Sequence, residues 1–318
     1  MAARPGVTQT AAELAARMPA GRVLVTGAGG PLGRRLVAAL IAAGVPVRVL
    51  AHVHDDWPPP VEVYRGDLCR AETLAGLCDG VDLIFHLASH PARPGQPDPE
   101  SDPRHWAVTA EGTRLLLCQA RRAGVQRLVF ASSTRVVDGS TSCYAKAKRQ
   151  AELLLESAPV PCASLRLPPL YGIPGRGLVG TLAAMTLKRW LPGLPELGDR
   201  RSLLHVEDAA RALLLAAVAA LEGAWVVTDG RVHSVRGLQI ELCRALGRPP
   251  PRPWPRWSWA LAARLGGVVP GLPLDPKIWR KLQAQAVFDG EPFARATGFE
   301  PLYGPADGAF EAGSRAAS

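Results

Sequence analysis

Residues 22 to 33, RVLVTGAGGPLG, constrain the fold more than any other part of the chain, because an apolar run leads into glycines and then into a helix-like stretch. A strand, a glycine turn and a helix in this order form a dinucleotide site, with the helix N-terminus facing the anion. Gly27 would permit the tight turn, Gly30 would let the backbone approach a pyrophosphate, and Gly33 would let the helix pack on the strand. The spacing is GxxGxxG and not GxGxxG, so the prediction depends on the strand and helix context.

Short apolar runs alternate with helical patterns along the first half of the chain. Apolar runs of this length are typical of strands buried in parallel sheets. Their alternation with helices predicts an α/β fold with a doubly wound parallel sheet, which binds ligands at the carboxyl ends of its strands. The predicted strands are 22–26, 46–50, 61–65, 82–86, 126–131 and 161–166, and the predicted helices are about 32–43, 70–78, 105–123 and 144–157.

The composition changes after Leu167, where proline and glycine become dense. Helical patterning returns at 206–221 and a strand pattern follows at 224–228, whereas 248–276 looks like loop and short helices. This change predicts a second, smaller and discontinuous C-terminal lobe that binds substrate. The predicted division is a frayed N-terminal extension at 1–20, a dinucleotide-binding domain at 21–167 and 201–228, and a substrate-binding lobe at 168–200 and 229–318.

Tyr144 and Lys148 lie four residues apart, downstream of a predicted strand that ends in Ser132-Ser133. On a helix the two side chains share one face and can act on the same proton. A free tyrosine titrates near ~10, and a nearby lysine cation stabilises the phenolate. Ser133 could hydrogen-bond the same substrate oxygen. The alternative is a surface helix on which a tyrosine and a lysine fall in register by chance.

Many short motifs along the chain fall in a recognisable order. They are TGAGGPLG (26–33), Asp67-Leu68, HLAS (86–89), EGTRLLL (111–117), FASS (130–133), YAKAK (144–148), LRLPPLYG (165–172), RSLLHVEDAARA (201–212), VVTDG (226–230) and FDGEPFARATGFEP (288–301). In this order they resemble the extended short-chain dehydrogenase/reductase family, of the NAD-dependent epimerase/dehydratase type. The resemblance implies a catalytic set of Ser133, Tyr144 and Lys148. Tyr144 would exchange the substrate proton, Lys148 would lower the tyrosine pKa, and Ser133 would position the oxygen.

The resemblance also implies contacts with a nicotinamide cofactor. Asp67 is similar to the family's adenine contact, although it could equally cap the next helix. Lys148 would bind the nicotinamide ribose. The expected cofactor-binding residues are Gly27, Gly30, Gly33, His52, Asp67, Leu68, Leu87, Ala88 and Lys148.

The end of the second predicted strand bears on the choice between NAD and NADP. An NAD enzyme of this architecture usually has an acidic residue there, which binds the ribose hydroxyls. This chain has Ala51 at that position, followed by His52. Without the acid, a 2′-phosphate meets no repulsion, and Arg34, Arg48 or His52 could help to bind it. The sequence therefore favours NADP over NAD.

Arg201 leads to a substrate prediction. It lies four residues before His205, where sugar-nucleotide epimerases of the family hold the substrate diphosphate with an arginine. A guanidinium suits that task because its fork can engage two phosphate oxygens. Within the family the chain looks most similar to bacterial UDP-N-acetylhexosamine 4-ketoreductases and 4-epimerases, with hydride transfer at a sugar carbon. Two alternatives stay open: an NADPH-dependent reductase of an apolar steroid, terpenoid or polyketide ketone, and a non-catalytic sensor or assembly subunit.

Three departures from the family pattern bear on the substrate. Thr109 stands where the family usually has asparagine. Only 11 positions separate Ser133 from Tyr144, whereas nucleotide-sugar members insert a longer loop that lines the pocket. The family's 4,6-dehydratases carry Thr-Asp-Glu where this chain has Ser133-Thr134-Arg135, so the sequence argues against dehydration.

Charge and cysteine content narrow the partners. The net charge is +9, but the arginines are scattered and no aromatic residues interleave with a basic stripe, which argues against nucleic acid. No run reaches the ~18 apolar residues of a membrane span. The six cysteines show no metal-ligand spacing, so we expect no metal and a reduced, cytoplasmic protein. Two apolar helices could form a homodimer interface, although such faces also pack internally.

Overall fold

A computed structural model describes residues 9–19, 21–52, 56–90, 102–173, 177–187, 192–266 and 276–307. Contacts divide the chain into two compact units. The first comprises the described parts of Met1–Pro168, Glu207–Val227 and Gly290–Glu300, and the second those of Pro169–Val206, Thr228–Asp289 and Pro301–Ser318. Residues 201–206 and 290–300 thus belong to the other unit from the one in which the sequence analysis placed them. Which unit binds cofactor and which binds substrate stays a prediction.

The strands and helices follow one another in alternation through most of the first unit. The strands are β1 (Val23–Thr26), β2 (Val47–Ala51), β3 (Glu62–Arg65), β4 (Leu83–His86), β5 (Arg127–Ser133), β6 (Cys162–Leu167), β7 (Leu170–Tyr171), β8 (Arg200–Arg201), β9 (Leu204–His205), β10 (Gly223–Val226) and β11 (Gln285–Ala286). The helices are α1 (Ala11–Ala15), α2 (Pro31–Ala42), α3 (Gly112–Ala123), α4 (Cys143–Glu156), α5 (Gly177–Leu187), α6 (Val206–Val218), α7 (Val235–Ala245), α8 (Arg256–Gly266), α9 (Pro276–Leu282) and α10 (Glu291–Thr297).

Seven strands of the first unit form one sheet in the order β10-β6-β5-β4-β1-β2-β3, and every pairing is parallel. Strands β1, β2 and β4 are buried along their whole length, which explains why they read as apolar runs without alternation. The predicted doubly wound parallel sheet is confirmed. Because the strand order reverses at β1, the carboxyl ends of β1 and β4 mark the position where such sheets bind ligands.

Two predicted helices differ from the structure. The 70–78 pattern forms only a short 3₁₀ turn at Ala71–Leu74, because Gly76 adopts a left-handed φ of 81° soon after it. The 105–123 pattern begins as a π-helical turn at Trp106–Glu111, and α3 continues from there. Single π turns inside helices are frequent at functional sites.

Part of the predicted N-terminal extension is folded. Thr10 and Glu13 form a capping box that starts α1, and Leu14 is completely buried. The carbonyl oxygen of Gln9 accepts a hydrogen bond of 2.7 Å from Nε of Arg211, which lies in α6. Residues 9–19 therefore belong to the packed first unit.

The second unit contains two short parallel sheets, one pairing β7 with β9 and the other β8 with β11. Its core is formed by apolar side chains from α5, α7 and α8, with Leu182, Leu238, Leu242 and Trp259 among them. None of the helices within the described residues has the length and apolar character that a bilayer crossing requires.

Candidate active site

The glycine turn after β1 has the close packing that the sequence predicts. Gly27 adopts a φ of 71°, and a Cβ on it would lie 2.6 Å from the backbone nitrogen of Ala88. A Cβ on Gly33 would lie 2.4 Å from the carbonyl oxygen of Gly27. Both distances are shorter than any real contact, so neither position has room for a side chain. These two glycines allow α2 and the end of β4 to approach the turn closely.

The same turn leaves space and hydrogen-bond donors for an anion. Gly30 caps α2 without a side chain, so the first-turn N–H groups of the helix have no side-chain acceptor there. Leu87 and Ala88 leave β4 beside the turn, and both backbone N–H groups donate to Thr26, at 3.1 and 3.4 Å. A side-chain-free cradle at a helix N-terminus fits a dinucleotide pyrophosphate. Whether these residues hold a cofactor stays a prediction.

A cavity of about 410 Å³ lies beyond the ends of β2 and β3. Nδ1 of His52 and Nε of Arg70 each lie 3.9 Å from Oδ2 of Asp67. Oδ1 of Asp67 accepts a hydrogen bond of 2.8 Å from the N–H of Cys69, so Asp67 caps a turn there. The cavity is lined by Ala51, His52, Arg65, Gly66, Asp67, Arg70 and Thr73.

Two other residues near these strand ends were expected to help with cofactor binding. The Arg48 side chain is buried, donates to the carbonyl oxygens of Leu77 and Asp79 at 2.7 and 2.9 Å, and pairs with Glu62. Arg48 is therefore structural and cannot meet a phosphate, contrary to the expectation from sequence. Leu68 is buried in the core of the first unit.

The three predicted catalytic residues lie on β5 and α4. Ser133 is the last residue of β5, and its Oγ accepts a hydrogen bond from the N–H of Arg135. Tyr144 lies in the first turn of α4, which Ser142 caps through the N–H of Ala145. Nζ of Lys148 donates to the carbonyl oxygen of Ala131 at 2.7 Å. This contact places Lys148 against the strand that ends in Ser133.

Further contacts fix α4 on the sheet. Oε1 of Glu152 accepts a hydrogen bond of 2.5 Å from Ser132 on β5, and both Glu152 oxygens receive the guanidinium of Arg166 on β6. One turn of helix earlier, Arg149 donates to the carbonyl oxygen of Val136 at 2.5 Å. The helix that carries Tyr144 and Lys148 is thus held rigidly, as a preorganised site requires.

Lys148 is almost completely buried, with Nζ 4.4 Å from the centre of the Phe130 ring. Burial lowers the pKa of Lys148 to about 7, and the carboxylate of Glu152 opposes that shift. A lysine in this environment can gain or lose its proton near neutrality. The sequence spacing alone gives no indication of this shift.

A row of polar aromatic residues leads away from Tyr144, and the sequence analysis did not identify it. The rings of His105 and Tyr144 meet edge to face with centroids 5.2 Å apart, and His105 meets His90 in the same way at 5.2 Å. Nε2 of His90 lies 3.3 Å from Oδ2 of Asp102. His105 is four residues before Thr109, so both lie on one side of the helical segment that packs against α4.

His86 is a second histidine that the sequence analysis did not single out. Its ring bridges two hydroxyl groups, with Nδ1 2.7 Å from Thr26 and Nε2 2.9 Å from Thr113. Burial and the nearby Lys148 lower the pKa of His86 to about 3. A histidine that stays neutral between two hydroxyls is a structural link between β1, β4 and α3.

Arg201, predicted to bind a substrate diphosphate, has structural partners in the second unit. Its Nε and NH2 donate to Oδ2 of Asp199 at 3.2 and 3.0 Å, and NH2 also reaches the carbonyl oxygen of Leu282 at 2.7 Å. The side chain is only 15% exposed, and the Asp199 side chain is 1% exposed. The charge of Arg201 is therefore neutralised by a buried carboxylate.

Three curated proteins illustrate what the chain is similar to. It is 42% identical over 123 residues to the 3 beta-hydroxysteroid dehydrogenase/Delta 5-->4-isomerase of Mycobacterium tuberculosis, covering 37% of this chain and 33% of that protein. It is 35% identical over 200 residues to the ceramide reductase of Caulobacter vibrioides, covering 61% and 60%. It is 32% identical over 270 residues to a 3-diazoavenalumate denitrifying reductase of Streptomyces, covering 77% and 87%. The chain thus spans a third of the steroid dehydrogenase and 60% of the ceramide reductase.

Structural and family comparisons agree with the fold. The UDP-glucose 4-epimerase of Thermus thermophilus, solved in complex with NAD, aligns at a TM-score of 0.67 and 26% identity, covering 91% of this chain and 96% of that one. The model of the NAD dependent epimerase/dehydratase family matches residues 23–227. The predicted family resemblance is confirmed, whereas the curated relatives do not specifically support the finer likeness to UDP-N-acetylhexosamine enzymes. The chain belongs to the NAD dependent epimerase/dehydratase family.

Proposed function

We propose that the protein transfers a hydride between a nicotinamide cofactor and a carbonyl or secondary alcohol of an apolar substrate of the steroid or lipid type. The observation that carries this choice is the engagement of Arg201 by Asp199 and the Leu282 carbonyl. An arginine in a buried ion pair is a poor ligand for a diphosphate, because it would leave a buried carboxylate unpaired. This argues against the nucleotide sugar that the sequence favoured.

The relatives support the same choice. Two of the three similar proteins described above are named for a steroid and for a ceramide, which are both largely apolar. The short connection between Ser133 and Tyr144 also lacks the loop with which nucleotide-sugar members line the pocket. The third relative is named for a diazo compound, so the substrate class rests on Arg201 more than on the names.

The proposed chemistry uses Tyr144, Lys148 and Ser133. Tyr144 gives a proton to the carbonyl oxygen during reduction and takes it back during oxidation. Ser133 hydrogen-bonds that oxygen and holds it near the tyrosine. Lys148, when protonated, stabilises the phenolate of Tyr144, and its pKa near 7 lets it exchange protons at neutral pH. A bound nicotinamide would supply or accept the hydride.

We further propose that the cofactor is NADP. The cavity at the ends of β2 and β3 has basic side chains from His52, Arg65 and Arg70 around its wall. Such a group suits a 2′-phosphate, because guanidinium groups bind phosphate oxygens through charge-assisted hydrogen bonds. Ala51 supplies no carboxylate to repel it. Asp67 offsets part of the positive charge, so the preference is expected to be moderate.

The proposal is tested by steady-state assays with steroid ketones, long-chain ketones and UDP-sugars, each with NADH and NADPH. We expect turnover of an apolar ketone, a lower KM for NADPH than for NADH, and loss of about a hundredfold or more in kcat for Tyr144→Phe with cofactor binding retained. Turnover of UDP-sugars alone would contradict the apolar substrate. An unchanged kcat in Tyr144→Phe would contradict the catalytic assignment. Homodimer formation and a cytoplasmic location stay predictions.

A further inference from the structure

Helix α8 of the second unit carries apolar side chains on two opposite faces. Trp259 and Ala263 on one face are buried in the core of that unit. Trp257, Leu261 and Leu265 on the other face are 69%, 50% and 50% exposed. At ~100° per residue, the three exposed side chains fall within one narrow stripe of the helix. Packing of the unit accounts for the first face and not for the second.

The exposed apolar surface extends beyond the helix itself. Trp254, two residues before α8, is 55% exposed. We call Trp254, Trp257, Leu261 and Leu265 the α8 stripe. Soluble proteins rarely expose large apolar residues in a contiguous group unless it forms an interaction surface.

Basic residues surround the α8 stripe. Arg252, Arg256 and Arg264 are exposed on the same segment, and Arg280 and Lys281 are exposed on α9. Arg256 also donates to Gln283 at 2.5 Å, which links the start of α8 to the residue after α9. Between residues 248 and 288 the sequence has seven basic residues and one acidic residue, so most of the net charge of +9 lies in this stretch.

We propose that the α8 stripe docks on an anionic lipid surface. The tryptophan and leucine side chains enter the boundary between headgroups and acyl chains, and the arginines pair with lipid phosphates. Tryptophan is favoured at this boundary because its ring is apolar and its N–H is polar. An apolar helix stripe flanked by arginines is typical of helices that lie in the plane of a membrane surface. This inference does not depend on the proposed substrate.

Charge complementarity favours a membrane over a second copy of the chain. In a two-fold symmetric dimer the same patch faces itself, so Arg252, Arg256 and Arg264 of both copies would lie near one another. Like charges brought together in this way oppose association. An anionic bilayer instead offers negative charge around an apolar interior, which matches the arrangement of the α8 stripe and its surroundings.

The experiment measures co-sedimentation of the full chain with vesicles of phosphatidylcholine alone and of equal parts phosphatidylcholine and phosphatidylglycerol. We expect binding to the anionic vesicles that weakens as salt is added. The Trp257→Ser/Leu261→Ser variant should bind about tenfold more weakly. Leu153→Ser is the matched control, because Leu153 is 52% exposed on α4, and it should bind like the wild type.

A second pair of variants tests the charge. Arg252→Glu/Arg264→Glu should lose binding to anionic vesicles, whereas Arg122→Glu, on the exposed surface of α3, should keep it. Melting temperatures should match the wild type, because all of these side chains are exposed. Absence of vesicle binding, or equal binding by wild type and stripe variants, would overturn the proposal. Light scattering in which the stripe variants only abolish self-association would assign the surface to a second copy and also overturn it.

Discussion

At the scale of single residues, Lys148 is the clearest case of a side chain that the packed first unit would be more stable without. Its ammonium group is buried against the Phe130 ring, and burial lowers its pKa to about 7. We predict that Lys148→Met raises the melting temperature by about 2–4 °C while it lowers turnover by orders of magnitude. Methionine has a similar length and loses no hydration of a charge. Calorimetry of the apo protein and steady-state kinetics measure the two effects.

Lys146→Met is the control for this prediction. Lys146 lies on the same helix but is exposed, so its replacement should leave both the melting temperature and the turnover nearly unchanged. A Lys148→Met protein that melts lower than the wild type would show that the hydrogen bond to Ala131 stabilises the unit more than burial of the amine destabilises it. Retained turnover would remove Lys148 from the proposed chemistry.

At the scale of elements, the glycine turn between β1 and α2 separates two effects of glycine. Gly27 and Gly124 adopt nearly the same φ, 71° and 70°, but a Cβ on Gly27 would lie 2.6 Å from Ala88 whereas nothing lies within 4 Å at Gly124. Gly124→Ala should therefore cost only the left-handed backbone strain, about 1–2 kcal/mol. Gly27→Ala should cost more, because the end of β4 must also move.

Equilibrium unfolding in urea measures this difference, and titration with NADPH measures its consequence for the turn. We expect Gly27→Ala to lose cofactor affinity and Gly124→Ala to keep it. Equal losses of stability in the two variants would mean that the turn shifts freely. Equal cofactor affinities would exclude the turn from the cofactor site.

The glycine turn and the helix with Tyr144 could be predicted from sequence because their determinants are local. A strand, its turn and the next helix lie within a few residues, and Tyr144 and Lys148 are four apart. The partners of other site residues could not be predicted in this way. His105 meets Tyr144 from 39 positions earlier, and Arg201 is neutralised partly by a carbonyl group 81 positions later. Only tertiary packing brings such pairs together, so a motif assigned a free guanidinium where the folded chain has an ion pair.

At the scale of the whole molecule, buried titratable groups should set an unusual dependence of stability on pH. Burial lowers the pKa of His86 from 6.5 to about 3 and that of Lys148 from 10.5 to about 7. The unfolded chain therefore binds more protons than the folded chain between about pH 3 and 6.5, and again between about 7 and 10.5. Stability should rise with pH across both windows.

Buried thiols act in the opposite direction at higher pH. Burial raises the pKa of Cys78 and of Cys162 from 9.0 to about 12, so above about pH 9 the unfolded chain releases protons that the folded chain keeps. Two thiols then outweigh one lysine, because each proton changes the free energy of unfolding by about 1.4 kcal/mol per pH unit. We predict that the apo protein is most stable near pH 9, as measured by urea unfolding at a series of pH values. Lys148→Met should remove the rise between pH 7 and 9 and keep the fall above it, whereas a wild-type maximum below pH 7 would contradict the prediction.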